Sequence, residues 1–384
     1  MSLLIAILLV LSGARAADGS SSLLFAQVLF RHGARAPSAA FTNATYAQHF
    51  PRGLGELTDR GFENSHRLGR LLAKRYVSTG FLDAKMVSKQ MYWRSVNLAR
   101  CLSSAATVGA AMFRDYGRHL HVPVNTQETG EHLLNYDFSR CHREVEIIRE
   151  QCPHYGTPDD FDSWPHYEEF VYNCLNISSP LLKNRNFRQI EAHLNEYKNG
   201  LKLPDEWADN VDELIDIHTA VTHWITGTGR YHDPRKMRIK FGNMMNTLIE
   251  NMEKAWKSHA EKRAFRKFNA YSTQDWMLLG ILDSFGVLDE TLGMRRTPDY
   301  NSMIILELWD DGVVRMLYKR DERDETLIDV SRRIRECGGD VCRIERLSEC
   351  CRLYRERTPG ASCVPLRPRD FLNANRRRRF VGPE

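Results

Sequence analysis

The chain has 384 residues, 42% of them hydrophobic and 27% charged, and a formal net charge of +5 at pH 7. This balance excludes an intrinsically disordered or collagen-like chain and predicts a globular protein. The length allows two domains, or one domain with a large insertion. The weak positive charge gives no reason to expect a nucleic-acid partner, and it leaves small anionic ligands open.

The N-terminus is typical of a secretory signal peptide. Residues 3–11 form an apolar run that is too short to span a bilayer, and Ala14-Arg15-Ala16 is an A-x-A cleavage pattern. We therefore expect residues 1–16 to be removed and the protein to be secreted or lysosomal. No second apolar run of membrane-spanning length follows, so we predict no membrane span.

The first third of the chain predicts alternating strands and helices. Residues 23–30 are almost continuously apolar, as in a strand that is buried on both faces. A helix is expected to begin at Leu57-Thr58, because apolar residues then recur at helical spacing. Residues 90–93 predict a second strand, and Ser95 is the expected N-cap of a small-residue helix over residues 95–113.

The middle of the chain changes to a purely helical pattern. Phe241, Met244, Met245, Leu248 and Met252 recur at the spacing of one helix face, which we assign to the core rather than to a binding groove. The predicted helices of this segment cover residues 140–151, 186–198, 206–225 and 241–262.

Strands return after residue 262. Residues 266–272 predict a strand that is followed by a helix from Asp275 or Trp276, and Asp310-Asp311-Gly312 predicts a hairpin between strands 303–309 and 313–318. The pattern therefore predicts an α/β fold whose open sheet is interrupted by a helical cap. The expected parts are a core from residues 17–129 and 263–336, a cap from residues 130–262, and a cysteine-rich tail from residues 337–384.

One motif carries most of the chemistry. Arg31-His32-Gly33-Ala34-Arg35-Ala36-Pro37 directly follows the first predicted strand. Guanidinium groups present forked donors that match phosphate oxygens. The arginines would repel a metal cation, whereas an imidazole between them is placed to attack a phosphorus atom. Taken alone, the motif supports two interpretations equally: a catalytic histidine between phosphate-binding arginines, or a structural arginine pair with a surface histidine.

Two further strand ends favour the catalytic interpretation. Arg94 follows the strand at residues 90–93, and Asp275 follows the strand at residues 266–272. In an open α/β sheet, ligands bind at the edge where the carboxyl ends of the strands meet. The sequence therefore predicts an anion site that combines His32, its flanking arginines, Arg94 and Asp275.

These motifs resemble the histidine acid phosphatases, the family that includes the prostatic and lysosomal acid phosphatases. The Arg31–Pro37 motif is similar to the family signature, and residues 55–61 and Arg94-Ser95 with Arg100 are similar to its next segments. The resemblance implies a phosphoglycerate-mutase-like open sheet core with an inserted helical cap, no cofactor, no metal and, commonly, a homodimer. The substrate would be a small phosphomonoester or a phosphoprotein.

The resemblance also implies residue roles. His32 would be the nucleophile that forms a phosphohistidine, and Asp275 would protonate the leaving alcohol. The phosphoryl oxygens would be held by Arg31, Arg35 and Arg94. An acidic pH optimum would follow, because a cationic cluster favours the ionised form of Asp275 and acid would restore its proton.

One position departs from the family pattern. Gln274 stands where the family has a histidine that contacts the phosphoryl group. A glutamine donates only neutral hydrogen bonds, and a loss of about 1.5 kcal/mol in the transition state would slow the reaction about tenfold. We therefore predict an impaired acid phosphatase. The alternatives are a catalytically dead secreted member that binds a phosphorylated or anionic ligand, and a cofactor-independent phosphomutase, which the signal peptide disfavours.

The nine cysteines suit the secretory interpretation, in which most thiols are paired. The odd number leaves at least one free or intermolecular, and Cys101 in its small-residue helix is the expected free thiol. Asn43 and Asn176 begin N-x-S/T sequons and are candidate glycosylation sites.

The disulfide connectivity stays open in the sequence. Cys337 and Cys342 resemble the small C-terminal disulfide loop of the family, and Cys152 and Cys174 lie together in the predicted cap. Cys141 would then pair with one of three C-terminal cysteines, which are Cys350, Cys351 and Cys363.

Overall fold

The computed structural model describes residues 21–128, 133–136, 141–156, 164–177, 187–293 and 296–363. The predicted signal peptide at residues 1–16 and the basic run at residues 376–379 lie outside these residues. The strands are β1 (Leu23–Arg31), β2 (Met91–Ser95), β3 (Val124–Asn125), β4 (Phe268–Thr273), β5 (Met303–Trp309), β6 (Val314–Lys319) and β7 (Ile328–Asp329). The helices are α1 (Asp59–Leu72), α2 (Ala99–Phe113), α3 (His142–Gln151), α4 (Trp164–Cys174), α5 (Phe187–Lys198), α6 (Asp205–Ala208), α7 (Val211–Thr226), α8 (Pro234–Ala260), α9 (Asp275–Ser284), α10 (Leu288–Leu292) and α11 (Ile344–Glu349).

The strands form one mixed sheet in the order β3-β2-β4-β1-β5-β6-β7. The pairs β1–β4, β2–β4 and β2–β3 are parallel, whereas β5, β6 and β7 continue the sheet in antiparallel fashion. The carboxyl ends of β1, β2 and β4 therefore meet at one edge, and the amino end of β5 lies at the same edge. The expected α/β fold class is confirmed.

Helices cover both faces of the sheet. On one face, α1 and α2 pack on apolar side chains such as Val28, Trp93 and Phe268. On the other face, α8 and α9 pack on Leu29 and Ile304. All five residues of the predicted Met-rich stripe of α8 are buried, so the assignment of that stripe to the core is confirmed. Although α8 lies within the range predicted for the cap, its apolar face belongs to the sheet core.

The remaining helices between β3 and β4 include a separate apolar cluster. Helices α4, α5 and α7 bury Tyr167, Ile190 and Trp224 against one another. Lys240 of α8 and Glu144 of α3 form a fully buried ion pair, and the hydroxyl groups of Tyr136 and Tyr167 also donate to Glu144. These helices therefore have a core of their own and are tied to α8 by a buried charge pair.

Three predicted helix boundaries are wrong. Helix α8 begins at Pro234 rather than at residue 241, residues 206–225 include parts of both α6 and α7, and α2 begins later than predicted. Ser95 does not cap α2, because it is the last residue of β2, where it pairs with Ser272 and donates its hydroxyl to the carbonyl of Val96. The helix begins four residues later, at Ala99. Pairing with the central strand β4 extends β2 through the position that the sequence offers as a cap.

The structure contains four disulfides among the described residues. Cys152 pairs with Cys174 and Cys337 pairs with Cys342, as expected, and Cys101 is a buried free thiol. Of the three alternatives for Cys141, the structure has Cys363. Cys350 and Cys351 pair with each other, which the sequence analysis does not anticipate.

Two glycines let the β1–α1 loop pack directly on helix α1. A Cβ atom at Gly33 would lie 2.4 Å from the carbonyl oxygen of Gly61, and a Cβ atom at Gly61 would lie 2.1 Å from the carbonyl oxygen of Ala34. Backbone therefore touches backbone just after His32. Thr58 caps α1 by accepting a hydrogen bond from the Gly61 amide, which fixes the start of this helix beside the loop.

The Gly61→Ala substitution should destabilise the protein. Alanine has the higher helix propensity by about 1 kcal/mol, but the new methyl group would strike a backbone carbonyl that cannot move freely, and overpacking costs about 1–3 kcal/mol. We expect a lower urea midpoint. Gly156→Ala is the control, since among the described residues no atom other than those of its chain neighbours lies within 4 Å of its Cβ position. Equal midpoints for the two variants would contradict this close contact.

Candidate active site

The candidate site lies at the edge where β1 and β4 end. Arg31 is the last residue of β1, and Asp275 is the first residue of α9, two positions after β4. The His32 amide donates to the carbonyl of Thr273 over 3.2 Å, which joins the two strand ends. The parallel pairing of β1 and β4, in which Arg31 lies beside Thr273, thus brings together two segments that are far apart in sequence.

His32 is buried, with 2% of its surface exposed. Its Nδ1 lies 2.9 Å from the carbonyl oxygen of Gly33. Because a carbonyl can only accept, Nδ1 carries the proton of the neutral ring and Nε2 keeps its lone pair. Burial, and then the charges of Arg31, Arg100 and Arg35, hold the pKa of His32 well below its usual value. The imidazole is therefore neutral at mildly acidic pH.

Arg31 is fixed on several sides. Its Nη2 forms an ion pair with Asp275 Oδ2 at 2.7 Å, and its Nη1 donates to the carbonyl of Pro298 over 2.8 Å. The guanidinium also lies 4.5 Å from the centre of the Tyr300 ring. Burial would raise the pKa of Asp275, but Arg31, His218, Arg35 and the hydrogen bond from the Trp276 amide together outweigh burial, and the pKa is lowered. Asp275 is thus ionised in this state of the site.

Arg35 connects the β1–α1 loop to helix α5. Its Nη1 donates to Glu191 Oε1 over 2.8 Å, and the carbonyl of Arg35 accepts from Asn199 over 2.9 Å. Burial would lower the pKa of Arg35, but Glu191, Tyr300 and Asp275 together outweigh burial, and the pKa is raised. A second carboxylate of α5, Glu196, accepts from the backbone and hydroxyl of Thr42. The cap therefore holds the loop in place through charged groups.

Arg100 joins Arg31 and Arg35 beside His32, although the sequence gives it no role of its own. Arg100 lies in the first turn of α2, and its Nη2 donates to Gln274 Oε1 over 3.0 Å. Its charge is one of those that lower the pKa of His32. Arg94 lies within β2, level with Tyr271; its Nη2 donates to Gln127 over 3.0 Å, and its Nε is buried. The phosphate-binding role of Arg94 stays a prediction.

The cap and the loop before β5 supply groups that the sequence analysis does not single out. Lys198 of α5 forms an ion pair with Asp299 at 2.9 Å, and Asp299 lies 3.9 Å from Arg31. Burial would raise the pKa of Asp299, but Lys198, Arg31 and the Tyr300 amide together lower it to about 2. Burial lowers the pKa of His218 on α7 to about 4, and its charged neighbours include Asp275. No local sequence pattern marks these residues, because each reaches the site through long-range packing.

One group outside this edge has the composition of a metal site. Potential ligand atoms of Glu336, Cys350 and Cys351 lie within 4.8 Å of one another. Both sulfur atoms belong to the Cys350–Cys351 disulfide, whereas metal binding requires thiolates.

Among the residues that the structure describes, no helix is both long enough and apolar enough to cross a bilayer.

Sequence comparisons identify relatives along most of the chain. The model of the histidine phosphatase superfamily (branch 2) matches residues 22–217. A putative acid phosphatase 1 from Caenorhabditis elegans is 27% identical over 362 residues, which are 89% of this chain and 83% of the relative. The human prostatic acid phosphatase is 26% identical over 327 residues, which are 80% of each chain.

Structural comparison supports the same fold. The phytase from Klebsiella sp. ASR1 aligns with a TM-score of 0.57 and 13% identity, covering 90% of this chain and 98% of the phytase. The phytase from Citrobacter braakii aligns with a TM-score of 0.57 and 14% identity, covering 90% and 100%. The resemblance predicted from the Arg31–Pro37 motif is confirmed, and the chain belongs to the histidine phosphatase superfamily, branch 2, as a member of the histidine acid phosphatase family.

Proposed function

We propose that the protein is a secreted or lysosomal acid phosphatase that hydrolyses phosphate monoesters through a phosphohistidine on His32. One observation carries the proposal: a neutral, buried imidazole lies among the charges of three arginines, Arg31, Arg35 and Arg100. The Nε atom of each arginine is buried and has no hydrogen-bond partner within the described part of the chain. Buried unpaired donors call for an acceptor, and the oxygen atoms of a phosphoryl group supply several.

The reaction has two steps. In the first, Nε2 of His32 forms a bond to phosphorus while the bond from phosphorus to the ester oxygen breaks, and Asp275 gives its proton to the departing alcohol. In the second, water attacks phosphorus, its proton passes to Asp275, and inorganic phosphate leaves His32. Covalent catalysis divides one difficult displacement in two, and the fixed arginines oppose the charge of the transferred group.

The proton on Asp275 explains why acid should favour the reaction. The ion pair with Arg31 lowers the pKa of Asp275, so the free site holds a carboxylate. The reactive complex must therefore gain one proton, either from solvent or with a substrate monoanion. The phosphoryl group also competes for Arg31 and thereby weakens the ion pair that keeps Asp275 ionised.

Gln274 is the residue of this site that we expect to lower the rate. Its Oε1 accepts from Arg100, which leaves its amide N–H groups as neutral donors toward a phosphoryl oxygen. We expect activity about tenfold below that of a site with a charged donor. The second candidate function, a secreted protein that binds a phosphorylated or anionic ligand without turnover, rests on this residue.

Hydrolysis of p-nitrophenyl phosphate at pH 5 tests the proposed function. The purified chain should release phosphate, and His32→Ala should abolish release, because the substitution removes the attacking nitrogen Nε2. Binding of inorganic phosphate by the His32→Ala variant is the folding control. If the chain binds phosphate but hydrolyses the ester no faster than His32→Ala, the binding function replaces the enzymatic one.

The role of Asp275 predicts a dependence on the leaving group. Asp275→Asn should slow hydrolysis of an alkyl phosphate by about 10²–10⁴-fold, since an alkoxide needs a proton to leave. The same variant should lose much less with p-nitrophenyl phosphate, whose phenolate leaves without help. The rate of the unsubstituted chain on the alkyl ester should fall as pH rises above about 6, where substrate and Asp275 both lack the needed proton. Equal losses on both esters would contradict general-acid catalysis.

Arg100 and Arg94 give a paired prediction. Arg100→Ala should weaken inhibition by inorganic phosphate about 10-fold to 100-fold, because a charged hydrogen bond contributes roughly 1.5–3 kcal/mol. Arg94→Ala should weaken the inhibition by a comparable factor, because Arg94 is a proposed phosphate ligand. An unchanged inhibition constant in either variant would remove that arginine from the proposed phosphate site.

A further inference from the structure

We propose that a cavity at the edge of the sheet opposite to the active site binds a single-chain fatty carboxylate. Leu23, at the amino end of β1, lines this cavity, whereas Arg31 ends the same strand in the active site. The two ends are about 26 Å apart at about 3.3 Å per residue. The volume of about 730 Å³ is within the usual range of about 300–1,000 Å³ for small-molecule sites.

The walls are mainly apolar. Leu23, Leu71, Phe81 and Leu327 are partly exposed and pack against the apolar core beneath α1 and α2. Trp309 of β5 completes the wall and is also partly exposed. An alkyl chain placed here would bury these surfaces without disturbing any hydrogen bond. The apolar side chains that the alkyl chain would contact also pack against the sheet core.

The polar groups of the cavity have a net positive charge. Three cations, Lys74, Arg75 and Lys267, line it together with one acid, Glu307. Arg75 uses Nε and Nη2 to bind both carboxylate oxygens of Glu307, at 2.6 and 2.8 Å, and the Tyr76 hydroxyl donates to Glu307 over 2.8 Å. Glu307 is buried, and its carboxylate oxygens accept hydrogen bonds from Arg75 and Tyr76. It therefore does not neutralise the charges of the two lysines.

The two lysines are the groups left for an anion. Within the described residues, neither ammonium group forms an ion pair, and Lys267 Nζ lies 5.8 Å from the centre of the Phe81 ring. A small anion at the mouth of the cavity would therefore find two cations beside an apolar wall.

The type of these donors favours a carboxylate over a phosphate. Forked arginine donors are the groups that match phosphate oxygens best, and the fork of Arg75 is occupied by Glu307. Lysines are point charges, which suit a single negative charge at the end of a chain. The combination of an apolar wall and a lysine rim therefore fits a fatty acid rather than a second phosphate ester.

Calorimetric titration with carboxylates from octanoate to myristate, below their micelle concentrations, tests the proposal. Affinity should rise about fourfold for each added methylene until the cavity is full. The alcohol of equal chain length should bind about tenfold more weakly, because it lacks the charge. Saturating inorganic phosphate should leave carboxylate binding unchanged, since the arginine cluster is a separate site.

Variants of the exposed rim avoid damage to the fold. Lys74→Ala with Lys267→Ala should weaken carboxylate binding about tenfold. Lys254→Ala is the control, since this lysine is exposed and pairs with Glu250 on α8. Leu71→Gln should reduce the gain in affinity per methylene. Absence of binding, equal affinity in the double lysine variant, or displacement by phosphate would each overturn the proposal.

Discussion

The central constraint in this molecule is the placement of an uncharged imidazole among fixed positive charges. Arginines favour an anion, but they also repel the proton that would make His32 useless as a nucleophile. Burial acts in the same direction, and the Gly33 carbonyl fixes the remaining proton on Nδ1. The groups that would neutralise a phosphoryl charge therefore also prepare the atom that would attack it.

The fold maintains this arrangement with backbone contacts more than with side chains. Parallel pairing joins the ends of β1 and β4, which fixes His32 relative to Asp275. The contact between Gly33 and Gly61 leaves no space for the loop to shift. From the other side, Glu191 of the cap holds Arg35 by a charged hydrogen bond. The sheet thus fixes His32, helix α1 fixes the loop at Gly33, and the cap fixes Arg35.

Much of this site can be predicted from sequence because short segments encode it. A buried strand followed by Arg31-His32 specifies a strand end, and the same pattern identifies Asp275 after β4. Arg100 was missed because it lies in a helix turn whose start depends on how far β2 pairs with β4. Glu191, Lys198 and His218 could not be found, because the packing of the cap on the sheet leaves no periodic signal in the chain.

Detection of the covalent intermediate would decide whether His32 is the nucleophile. Mixing the chain with a phosphate monoester at pH 5, followed by an alkaline denaturing quench and peptide mass analysis, would locate a transferred phosphoryl group. We expect a phosphoryl group on the peptide that contains His32, formed during turnover and absent from the His32→Ala variant. Hydrolysis without this adduct, or with the phosphoryl group on another residue, would contradict this role of His32.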